Sequence, residues 1–115
     1  MESEDIKTYI EAVFQFFQVV NKKSTDTNNG KQKMISLIIY NYVKMMAKRH
    51  NIDLRQIQCN EHTVNITPIF NYIKDNGISL YDFNNITFDD VDVNNEKDLE
   101  RFVLTHMYYI YKTNN

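Results

Sequence analysis

The chain has no tryptophan, two glycines, one proline and one cysteine in 115 residues. So few glycines and prolines disfavour a sandwich or barrel, which needs turn residues every ten or so positions. The lone Cys59 excludes an intramolecular disulfide and suits a reducing compartment. No apolar run approaches the roughly 18 residues that a membrane span requires. Residues Met1 to Lys7 are acidic and polar and do not look like a leader, so the expected location is intracellular, cytoplasmic or nuclear. Lysine outnumbers arginine, and Asn, Ile, Tyr and Phe abound, the mix that low-GC coding produces in some viruses, protists or parasites.

What is present points to helices. Hydrophobic residues make up 43% of the chain and charged ones 24%, close to globular averages, so one all-α domain over residues 1–115 is expected. Its architecture is read as about four main helices around a central apolar one. Ile6, Tyr9, Ile10, Val13, Phe16, Phe17 and Val20 recur at three- and four-residue steps and predict a first helix over 4–20. Phe14 lies off that stripe. Residues 21–30 read as a polar connection closed by Asn28-Asn29-Gly30. Lys31 to Arg49 is the second helix, with apolar residues round so much of its circumference that burial on more than one side is expected. A linker follows, with one possible helical turn near Leu54 and Ile57.

The C-terminal half carries clearer punctuation. Thr67-Pro68 reads as N-cap and first helical residue, and Asn76-Gly77 as a C-terminal cap with Ile78 making the apolar contact after it. Ile78, Leu80, Phe83, Ile86 and Phe88 are spaced to pin a loop onto the core. The last helix is predicted from about Glu96 to Tyr111, capped by Asn94 or Asn95 and with His106 on its apolar face.

Two metal patterns fail on their ligand count. Cys59-Asn60-Glu61-His62 has the spacing of half a zinc site, but only His50 and His106 remain to complete the four ligands. Asp90, Asp92 and Asn94 open like an EF-hand, yet the glycine position holds Asn95 and the closing carboxylate, Glu100, falls one place early. No metal and no cofactor is expected.

The run from Asn65 to Leu80, Asn-Ile-Thr-Pro-Ile-Phe-Asn-Tyr-Ile-Lys-Asp-Asn-Gly-Ile-Ser-Leu, resembles the stretch of calponin-homology domains with an apolar helix, a polar triplet, Gly-Val and Leu. Asp90-Val91 followed by Asn94-Asn95 is similar to the turn before that family's last major helix. The likeness covers roughly residues 65–111. Two departures stand against it: the tryptophans usual in the first and last helices are missing, as is the Asp-Gly turn before the central helix. The resemblance implies a non-enzymatic domain of four main helices that binds protein polymers or acts as an adaptor.

The residues alone show no Gly-rich phosphate loop, nucleophile elbow or paired ligand motif. The expected function is therefore non-enzymatic protein interaction, with a cytoskeletal polymer, an adaptor or a second copy as partner and the oligomeric state left open. A contiguous apolar patch involving Phe14, Tyr40, Met45 or the terminal tyrosines would mark such a domain. The alternative is nucleic-acid binding through the basic segment 22–55, with Lys31, Lys33, Lys44, Lys48, Arg49 and Arg55 as phosphate contacts. A sub-neutral pI near 5.9 and few arginines count against that alternative.

Overall fold

A computed structural model describes residues 3–27, 30–57, 65–82, 91–92 and 94–113, with side chains placed over 5–22, 33–57, 65–82, 91–92 and 94–112. The protein is all-α: helices α1 (Ser3–Thr27), α2 (Gly30–Arg49), α3 (Thr67–Asp75) and α4 (Glu96–Thr113), with a 3-10 turn at Leu54–Gln56 before α3. No strand occurs among the described residues. The chain divides into two units, residues 1–69 and 70–115, and the boundary falls inside α3.

In the first unit, α1 and α2 form a helical hairpin. α1 does not stop near Val20 as its apolar stripe suggests but continues to Thr27. The Ser36 hydroxyl of α2 lies 3.4 Å from the Asn21 carboxamide oxygen and 3.2 Å from the Lys33 carbonyl. Lys22 and Lys23 therefore lie inside α1, whose last turn has no basic residue.

The hairpin core is formed by Tyr9, Ile10, Ala12, Val13, Phe16 and Val20 of α1 with Ile35, Ile39, Tyr42, Val43, Met46 and Ala47 of α2. Towards its open end the Tyr9 and Tyr42 hydroxyls meet at 2.8 Å. The buried residues of α2 lie on one side, within an arc of about 140° at 3.6 residues per turn. Outside that arc Ile38, Tyr40 and Met45 are half-buried, whereas Met34 is 52% and Leu37 58% exposed.

α2 ends on Asn51, which adopts the left-handed conformation at φ 58°. Ile52 N–H donates to the Ala47 carbonyl at 2.8 Å and Asn51 N–H to that of Lys48 at 3.4 Å, the paired bonds of a Schellman cap. Asp53 then starts the 3-10 turn by accepting the Arg55 N–H. At α3 the capping oxygen belongs to Asn65, which accepts the Thr67 N–H at 3.1 Å, and the helix begins at Thr67. Thr67 is thereby the first helical residue rather than the cap.

In the second unit, Gly77 has φ +59° and ends α3 with the same two bonds, Ile78 N–H to Ile73 at 3.0 Å and Gly77 N–H to Lys74 at 3.2 Å. Asn95 caps α4 by accepting the N–H groups of Lys97 and Asp98. Among the described residues, polar groups join the segment after α3 to α4. Tyr81 N–H donates to Thr105 Oγ1 at 3.0 Å, Arg101 Nε donates to the Ser79 carbonyl at 2.7 Å, and the Arg101 guanidinium lies 3.9 Å over the Tyr81 ring. Ile78 and Leu80 are only half-buried, while Phe83, Ile86 and Phe88 fall outside the described residues.

Candidate interaction surface

The six basic residues singled out in the sequence do not form one patch. Lys31 lies in the first turn of α2, and its side chain is outside those described. Lys33, Lys44, Lys48 and Arg49 are exposed on α2. At 100° per residue, Lys33, Lys44 and Lys48 fall within about 60° of one another on the outer side of the helix, and Arg49 sits well round from them. Lys33 and Lys48 are separated by about 22 Å of helix. Arg55 is elsewhere, on the 3-10 turn.

Arg55 is also already neutralised. Its guanidinium donates to both Asp53 oxygens at 3.1 Å, a two-pronged pairing on the exposed surface. The side-chain hydrogen bond from Arg55, its backbone N–H and its charge hold the Asp53 carboxyl below the usual carboxylate range, and the same pair raises Arg55. A phosphate would have to displace that carboxylate. The pair is therefore a local cap rather than an open anion site.

The three lysines that do share a face enclose apolar residues. Leu37 lies between Lys33 and Lys44 on the outer side of α2, with Met34 beside it, and α2 contains no Asp or Glu to offset its cations. From Tyr40 the surface crosses to α1. The Tyr40 ring meets Phe17 at 5.1 Å between centroids, and Phe17 stacks on Phe14 at 5.9 Å and 12°. All three rings are half-buried. Phe14, off the stripe in the sequence, is thus the far end of an aromatic row on the same hairpin. Covering Leu37 and Met34, each about half open, would contribute on the order of 2 kcal/mol.

The sequence missed two parts of this surface. Phe17 falls on the apolar stripe of α1, and only its tertiary contact with Tyr40 shows that it sits at the margin. Met34 and Leu37 read as core because their exposure depends on which side of α2 receives α1. The terminal tyrosines go elsewhere: Tyr108 and Tyr111 meet Phe70 of α3 at 5.7 and 5.6 Å, and Lys112 lies 5.8 Å over Tyr108.

Other candidates offer less chemistry. A cleft of about 420 Å³ in the first unit is lined by Lys7, Glu11, His50, Asn51, Ile52, Asp53, Gln56 and Ile57. It mixes both charge signs, and Asp53 there is committed to Arg55. His106 is buried, and its Nδ1 lies 3.0 Å from the Phe102 carbonyl, which can only accept, so Nδ1 carries the proton. Among the described residues no three His, Cys, Asp or Glu side chains are grouped to hold a metal. The Cys59 to His62 segment and Asp90 lie outside those residues, whereas Asp92 accepts the Asn94 N–H as an ordinary turn. No described helix is long and apolar enough to cross a membrane. No family model, curated protein or solved structure matches the chain.

Proposed function

We propose that the protein is a non-enzymatic interaction module that docks another protein on the outer surface of the α1–α2 hairpin. The observation that carries this reading is the exposure of Met34 and Leu37 at 52% and 58% on a helix face that also holds lysines, beside the Phe14–Phe17–Tyr40 row. An apolar centre within a polar rim is the usual anatomy of a protein interface. Nucleic-acid binding through segment 22–55 has less support, because Arg55 is paired, Arg49 lies off the lysine face, and aliphatic side chains dominate the middle. The calponin-homology resemblance fits the same class of function. The tryptophans usual in that family's first and last helices are lacking.

Co-sedimentation of the full chain with F-actin, microtubules and duplex DNA, at low and physiological salt, tests the reading. Filament binding that persists at physiological salt and is lost in Leu37→Asp would support a polymer-binding module. Binding to DNA alone that collapses with salt and disappears in Lys48→Glu/Arg49→Glu would overturn it in favour of phosphate recognition.

A further inference from the structure

Building on the protein-docking reading, we infer that the occupant of this surface is an acidic amphipathic helix about four turns long, laid along α2 over Leu37 and the Phe17–Tyr40 contact. Charge complementarity selects the acid. Lys33 stands at one end of the apolar centre, Lys44 and Lys48 stand at the other, and α2 itself carries no Asp or Glu. The spacing selects the length, since about 22 Å between Lys33 and Lys48 matches some fifteen helical residues. A helix satisfies its own backbone, whereas an extended peptide would leave N–H and C=O groups unmet above Leu37, Met34 and the aromatic rings.

The same features disfavour other occupants. Two copies pairing antiparallel through α2 would set Lys33 against Lys48 at both ends. A single-stranded nucleic acid needs open ring faces for its bases. Phe14 and Phe17 are stacked on each other, and Met34 and Leu37, the most exposed apolar side chains described, present no ring at all.

The test is selection from a phage-displayed library of peptides about 16 residues long on the full-length protein at physiological salt, followed by titration of the enriched peptides as synthetic, labelled ligands. Peptides with apolar residues at i, i+3, i+4 and i+7 and Asp or Glu beside them are expected, helical when bound. Lys44→Glu/Lys48→Glu and, separately, Leu37→Asp should each weaken them by about tenfold or more, with the circular dichroism of the protein unchanged. Enriched peptides that need Leu37 but carry no carboxylates would overturn the acidic partner and leave the docking reading standing. Enrichment of nothing, alongside tight binding of single-stranded DNA or anionic vesicles, would overturn both.

Discussion

Gly77 shows how one residue can end a helix at little cost. Its φ of +59° suits glycine, and nothing lies within 4 Å of where a Cβ would stand, so the objection to a side chain there is backbone strain alone. Gly77→Ala should lower stability by about 1 kcal/mol in urea denaturation and Gly77→Asn by less, because Asn tolerates the left-handed region. The Tyr9 and Tyr42 hydroxyls make the opposite case, since their bond depends on two distant positions. Tyr9→Phe and Tyr42→Phe should each cost about 1 kcal/mol, and the double variant less than their sum, as a double-mutant cycle would show. Asp53 acts on pH in one direction only. Its carboxyl is lowered in the folded protein, so the stability it confers is present above the ordinary carboxylate pKa of 3.8 and lost as the pH falls through the lower folded value. Arg55 is exposed and Asp53 partly so, and the pair's effect on an unfolding curve should be confined to acid.

Helices, caps and turns were legible in the sequence to different degrees, and the differences have physical causes. The end of α3, the start of α4 and the four-helix count follow from local chemistry, in which Gly77 and Asn95 act on their own backbone. The length of α1 does not. Residues beyond Val20 carry no apolar stripe that would mark them as helix, yet α1 runs on to Thr27. Lys23→Pro tests this directly: inside a helix it should cost about 3 kcal/mol and reduce the circular dichroism signal, whereas in a loop it would be nearly silent. The outer face of α2 was illegible for a related reason, because apolar residues all round a helix do not say which of them a single neighbour will cover. Leu37→Gln should leave stability within about 0.5 kcal/mol, while Ile39→Ala, two residues away and fully buried, should cost about 2–5 kcal/mol by chemical denaturation.

Across the whole molecule the basic segment 22–55 falls within the first structural unit. Residues 1–69 carry nine lysines and arginines against seven acidic residues, and residues 70–115 carry four against eight. The interaction surface therefore lies in the more basic unit, although its three grouped lysines, rather than the total, define it.

The hairpin also dictates an order of assembly. Asn21 and Ser36 are 15 residues apart at its closed end, whereas Tyr9 and Tyr42 are separated by 33 at its open end. Closing the shorter loop loses less chain entropy, so the two helices should join from the Asn21 end and zip towards Tyr9. In refolding experiments, destabilising changes near Ser36 should slow folding, and those at Tyr9 or Tyr42 should mainly speed unfolding. Leu37, one position from Ser36, would then be in place early, with its apolar face bare before the rest of the unit has closed. The surface argued to hold a partner would also be the one most open to chaperones and to mispairing during synthesis.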